Sequence, residues 1–176
     1  MSRTKKPDPV KLLLSIIYND SEAAEACTKS MIDEYGPSDY NTRELGFKNV
    51  SYYEKEMGSP LVRRFFFFKQ LVDPGSLPDI KLFTNSLEAE YEKDGMRTVN
   101  LDPGYMSMGN LVLASCKFVG HRPYIRDGIY ADLALIYECG TFKKLKWSYP
   151  DYASPEMIDY LNRIRQAYKE DLKQQK

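Results

Sequence analysis

The chain has 176 residues and a mass of 20.4 kDa, an ordinary size for one domain spanning residues 1–176. Its 25 Lys and Arg balance 25 Asp and Glu, so no global field draws it to nucleic acid or anionic lipid, and either partner would need a local patch. One His and three scattered cysteines, Cys27, Cys116 and Cys139, exclude a paired-cysteine zinc site and a disulfide framework, and suit a reducing cytoplasm.

Residues 1–9 read as a flexible basic tail. The apolar run over 10–18 is broken by Lys11 and Ser15 and is too short for a membrane span. Apolar residues on both of its alternating faces predict a central strand covered on two sides. Asp20 or Ser21 can cap a following helix with an inner stripe of Ala24, Cys27 and Met31, stopped by Gly36-Pro37. Strands are expected over 40–47 and 62–68. In the second, Phe65 and Phe67 face one side while Phe66 and Phe68 face the other.

A second helix over 77–93 places Ile80, Phe83, Leu87 and Tyr91 on one side. Residues 97–101 read as extended, ended by a turn at Asp102-Pro103-Gly104. The run 109–118 fits helix or strand equally well. Asp127-Gly128 signals a tight hairpin into a strand whose Ile129, Ala131, Leu133, Leu135 and Tyr137 form one buried face, and a further strand is expected over 142–147. Ser154-Pro155 opens a C-terminal helix carrying Met157, Leu161, Ile164, Tyr168 and Leu172 on one side, with 169–176 as its frayed end. The fold class is α+β: a ferredoxin-like β-α-β-β-α-β opening half, extended by an antiparallel meander and a C-terminal helix.

Gly104 and Gly109 have the spacing of a phosphate loop, but Asn110-Leu111 stands where Lys and Ser/Thr should hold phosphates and magnesium. No dinucleotide fingerprint, nucleophile elbow or metalloprotease helix occurs. Cys116 with His121 could make a nucleophile pair, against which stands the commoner fate of a free cysteine as buried core. Lys81, Thr84, Asn85 and Glu88 share a helical stripe, which is a solvated face or one wall of a site. Arg97, Asn100 and Asp102 follow that helix directly. His121 and Arg122 enter the hairpin, and Tyr130 and Asp132 project opposite its apolar stripe. Trp147 and Asp151 sit on a proline-stiffened loop that supplies aromatic walls and a carboxylate or simply packs over the sheet edge.

Taken together, Tyr52-Tyr53-Glu54-Lys55-Glu56-Met57-Gly58, Ile80-Lys81, Thr84-Asn85, Val99-Asn100-Leu101-Asp102-Pro103-Gly104-Tyr105, His121-Arg122, Gly128-Ile129-Tyr130-Ala131 and Tyr149-Pro150-Asp151-Tyr152 resemble the bacterial family called domain of unknown function 4416. The likeness runs from Val10 into the C-terminal helix. It implies a bacterial origin and assigns no chemistry. Some members carry the automatic name "GTP-binding protein", yet the phosphate-loop lysine is missing here and no guanine-recognition motif occurs. Asp132 stands where the resemblance leads one to expect Glu, which keeps the carboxylate and shortens its reach. Ser115-Cys116-Lys117 stands where hydroxyl residues usually precede the Lys, which argues against a shared cysteine nucleophile.

The function these residues suggest is a polar cleft for a small anionic ligand, a nucleotide or phosphorylated metabolite. Lys81, Arg97 and Arg122 would neutralise charge, Asn85 and Asn100 would orient the ligand, and His121 with Asp102 or Asp132 would move protons in a hydrolysis or proton transfer. Magnesium on Asp102, Asp132 and Glu88 is conceivable, because all the donors are oxygens. The rival is a non-catalytic protein-protein interaction module using the C-terminal helix seam and surface tyrosines. A weaker one is a single-stranded RNA binder using rings on an open sheet. No membrane association is expected, and self-association stays open.

Overall fold

The structure, a computed structural model, describes residues 3–47 and 51–174. Strand β1 (Val10–Tyr18) is buried along its whole length, with Leu12, Leu14 and Ile16 in one core and Leu13 in a second on the opposite face. Helix α1 (Ser21–Tyr35) begins where the Asp20 carboxylate accepts the backbone N–H groups of Glu22 and Ala23. It ends at Gly36, whose φ of 82° is left-handed. Ala23, Ala24, Cys27 and Met31 are its buried stripe.

The strand expected over 40–47 is divided into β2 (Ser38–Asn41) and β3 (Leu45–Gly46), both antiparallel to β4 (Val62–Val72). Helix α2 (Ser51–Met57), which the sequence did not announce, lies between β3 and β4; at seven residues it is too short to display an apolar period. Along β4 the four phenylalanines alternate as expected, Phe66 and Phe68 into one core and Phe65 and Phe67 into the other. Helix α3 (Leu77–Glu90) packs Ile80 and Leu87 beside α1. Then come β5 (Val99–Met106), β6 (Asn110–Ser115), β7 (Tyr124–Arg126), β8 (Ile129–Glu138), β9 (Thr141–Lys144) and α4 (Pro155–Gln174). The ambiguous run is therefore a strand. The hairpin turns use left-handed pairs, Asp127 and Gly128 at φ 52° and 78°, and Cys139 and Gly140 at φ 50° and 85°.

One antiparallel sheet results, in the order β2-β4-β1-β5-β6-β8-β7, with β3 on β4 and β9 on β8. The connections β1-α1-β2 and β4-α3-β5 each pass over one intervening strand. Helices α1 and α3 cover one face, and α4 covers the other through Met157, Leu161 and Ile164. The fold is thus α+β with a C-terminal helix. Helix α4 stays regular through Gln174, beyond the expected fraying point. Leu172 is buried, and Asp171 lies 3.6 Å from the fully buried Lys11, which Asp39 pairs at 2.7 Å. A buried ammonium needs such partners, and this one joins β1, β2 and α4.

Two expectations are corrected. The apolar stripe of β8 does not stay on one face, because the β6–β8 register shifts between Leu111 and Val112. Ala131 and Leu133 pack near Leu77, whereas Leu135 joins Leu113 and Phe142 in the core under α4. Asp102-Pro103-Gly104 is also not a turn. All three lie inside β5, opposite Ser15, Leu14 and Leu13 of β1. Gly104 is there for closeness: a Cβ on it would stand 2.4 Å from the Val112 carbonyl oxygen. Gly104→Ala should therefore destabilise the protein by about 3 kcal/mol, at the upper end of overpacking costs, because the obstruction is backbone. Urea unfolding of the two proteins measures it.

Candidate functional site

The β5–β6 ladder runs only from Met106 to Gly104. Leu101 turns its N–H and C=O away from β1, since both are bound from the other side. By strand alternation Pro103 directs its nitrogen the same way, where it offers no N–H. Past Gly104 the two strands part and the sheet opens. Helix α3 supplies what a neighbouring strand would have: Glu88 Oε1 accepts the Leu101 N–H at 2.6 Å, and Lys81 Nζ donates to the Leu101 carbonyl at 2.7 Å. Lys81 and Glu88 sit seven residues apart, two helical turns, so they grip the same residue from one stripe.

The opening is a cavity of about 640 Å³. Its lining holds Lys81, Asn85 and Glu88 of α3, Asn100 and Asp102 of β5, and Asp132 of β8. Aromatic walls come from Phe47, Tyr52, Tyr53, Tyr149 and Tyr152. Among the described residues, five cations (Arg63, Lys81, Arg97, Arg122, Lys117) face five carboxylates (Glu56, Glu88, Asp102, Asp132, Asp151). Most are bound to one another. Arg97 grips both oxygens of Glu56 at 2.9 and 2.8 Å, and its Nη1 donates to Glu88 at 3.2 Å and to Asn100 at 2.8 Å. Burial works against the Arg97 charge, but these acceptors prevail and raise its basicity, while Arg97 holds Glu56 below the usual carboxylate range. Arg122 reaches Asp132 through Nε at 3.0 Å and Nη2 at 2.8 Å, and also Ser115 and the Tyr149 hydroxyl. Arg63 Nη1 meets Asp151 at 2.6 Å and stacks over Phe47. Asp102 is the least committed carboxylate of the interior: it accepts from Asn100 Nδ2 at 2.8 Å and has Lys81 Nζ at 3.9 Å.

Of the residues expected at a site, Lys81, Asn85, Glu88, Arg97, Asn100, Asp102, Arg122, Asp132 and Asp151 share this cleft. Four stand elsewhere. Thr84 is fully buried and donates to the Lys81 carbonyl of its own helix. His121 stacks on Trp147 with ring centroids 4.6 Å apart, outside the cavity lining. Its Nε2 is 3.6 Å from Asp132 Oδ1, so it backs the carboxylate. Trp147 Nε1 is spent on the Leu133 carbonyl. Tyr130 packs with Phe118 and Tyr124 and is not part of the cavity lining. Cys116 is exposed rather than core, and accepts from Asn85 Nδ2 at 3.4 Å.

The sequence reading gave no site role to Arg63, Tyr53, Glu56, Ser115 and Lys117, although all but Arg63 stand in the stretches compared with the family. Arg63 had a signal, since it shares parity with the inward Phe65 and Phe67 and a buried guanidinium demands a carboxylate. Glu88, Asp102 and Asp132 are not gathered for a metal. Glu88 is used by Leu101 and Arg97, Asp132 by Arg122, and no group of three or more His, Cys, Asp or Glu placed to hold an ion occurs among the described residues.

The chain belongs to the family described as Domain of unknown function (DUF4416), which matches residues 8–168. No curated protein and no solved structure matches it. None of the described helices is long and apolar enough to cross a membrane.

Burial pushes the Glu88 carboxyl above its ordinary 4.5, even though Lys81 and the Leu101 N–H favour its charge. A raised carboxyl pKa means that the native state binds the proton more tightly than the unfolded chain. The associated stability is present below the unfolded value and is lost as pH rises through the native one. Glu88→Gln keeps an acceptor for Leu101 without titrating. Urea unfolding from pH 4 to 8 should show wild-type stability falling relative to Glu88→Gln as pH rises through that window.

Proposed function

We propose that this protein binds a small anionic metabolite, a nucleotide or phosphorylated sugar, in the split of its sheet, with Asp102 available to take a proton from a bound hydroxyl. The observation that supports this best is the Leu101 clamp. A strand edge that should have collapsed onto its neighbour is held open by two charged side chains, which makes the cavity a built feature. Its volume of about 640 Å³ suits a ligand of that size, and its polar groups are set among aromatic walls as ligand sites commonly are. His121 behind Asp132 would tune that carboxylate as a positioning residue. The free thiols of Cys27, Cys116 and Cys139 suit a reducing cytoplasm.

One observation favours a second reading, a protein-protein interaction module. Phe118 and Tyr124 are 74% and 61% exposed beside the β7 edge strand. The apolar side of α4, in contrast, is packed against the sheet and offers no seam. The four phenylalanines of β4 are buried as well, so they offer no ring platform to an RNA strand.

Thermal-shift screening against nucleotides and sugar phosphates tests the proposal. A ligand at about a hundredfold its Kd should add about 2.7 kcal/mol of stability. Asp102→Asn should weaken that response, or abolish turnover of a reactive hit, while moving the unliganded stability by no more than about 1 kcal/mol. Silence from both compound classes would refute it.

A further inference from the structure

We infer that Lys117 takes the phosphoryl group of the cleft's ligand, at the rim where β6 ends; this rests on the ligand-binding reading above. Of the five cations that line the cavity, four already hold carboxylates: Arg63 has Asp151, Lys81 has Glu88 and Asp102, Arg97 has Glu56 and Glu88, and Arg122 has Asp132. A ligand anion that drew on those would strand a carboxylate in a partly dry cavity. Lys117 makes no ion pair among the described residues. Its Nζ rests 4.7 Å from the centroid of the exposed Tyr52 ring, a contact that an incoming anion need not break.

The base of this side chain is fixed even though its tip is uncommitted. The Lys117 N–H donates to Ser115 Oγ at 3.1 Å, and its carbonyl accepts from Arg122 Nη1 at 3.3 Å. Arg122 therefore serves the ligand indirectly, by anchoring the backbone that presents Lys117. Asn85 stands at the same rim. Its Nδ2 is given to the Cys116 sulfur, a weak acceptor that a phosphoryl oxygen would outcompete. A phosphoryl group held by Lys117 and Asn85 leaves the rest of the ligand to run inward between the aromatic walls toward Asp102, the carboxylate with spare acceptor capacity.

The test is a titration of the full chain with inorganic pyrophosphate, followed by backbone amide NMR, in wild type, Lys117→Gln, Lys117→Arg and, as a charge-matched control at an exposed position of β9, Lys143→Gln. Wild type should bind saturably with shifts at residues 85 and 115–117. Loss of one charge-assisted contact in Lys117→Gln should weaken Kd roughly tenfold, with Lys117→Arg retaining most of the affinity and Lys143→Gln unchanged. Binding by Lys117→Gln equal to wild type, with shifts still in the cleft, overturns the assignment of Lys117 and leaves the cleft reading standing. An equal loss in Lys143→Gln overturns the assignment too, because it marks nonspecific attraction. Shifts confined to other surfaces, or no saturable binding by wild type, overturn both.

Discussion

A backbone amide and carbonyl that lose their neighbouring strand must be satisfied by something else, and in this protein Glu88 and Lys81 do it for Leu101. The rest of the cleft depends on that substitution. Pro103 removes the donor that would have continued the ladder, and Gly104 lets β6 approach to the last point of contact before the strands part. The gap would otherwise expose unpaired peptide groups to a half-dry interior, at a cost of about 1–3 kcal/mol each. Two side chains from one stripe of α3 remove that cost and leave charged groups at the heart of a β-sheet.

Charge placed there has to be balanced locally. The ion pairs of the cleft tie its walls together: Arg97 joins α2, α3 and β5, Arg122 joins the end of β6 to β8, and Arg63 joins β4 to the loop before α4. Such pairs specify geometry more than they add stability, because desolvation offsets much of their Coulombic gain. A lining whose charges cancel presents no long-range pull on a ligand. On the proposed ligand-binding reading, recognition would rest with the least committed groups, Asp102 within and Lys117 and Asn85 at the rim, and with the aromatic walls between them.

Much of the fold was legible where the chain announces itself over short distances. The doubly apolar β1, the capped α1, the alternating phenylalanines of β4, the Asp127-Gly128 hairpin and the Ser154-Pro155 opening of α4 all appear as read. The failures share a cause. Pro103 and Gly104 look like a turn in isolation, but β1 pairs along the whole of β5 and holds them extended. The β8 stripe changes faces because β8 carries one extra residue, Ala134, opposite Leu111 and Val112 of β6, a bulge that its own alternation does not announce. In the cleft, spacing alone left the polar stripe of α3 open as a solvated face or one wall, and the structure puts Lys81, Asn85 and Glu88 of it in the cavity lining. Thr84 belongs to that stripe by number yet bonds its own helix, and no periodicity distinguishes it from Asn85 one position on.

The amino-acid sequence by itself determined the periods, caps and turns, the even balance of charge, and the set of side chains able to bind or move protons, because these follow from the intrinsic geometry of neighbouring residues. Only the tertiary structure decided which charges are already taken. Arg63 finds Asp151 across 88 positions and Arg97 finds Glu56 across 41. Those meetings depend on the lateral order of the strands and on the place where β5 and β6 separate, which are long-range choices that no local pattern encodes.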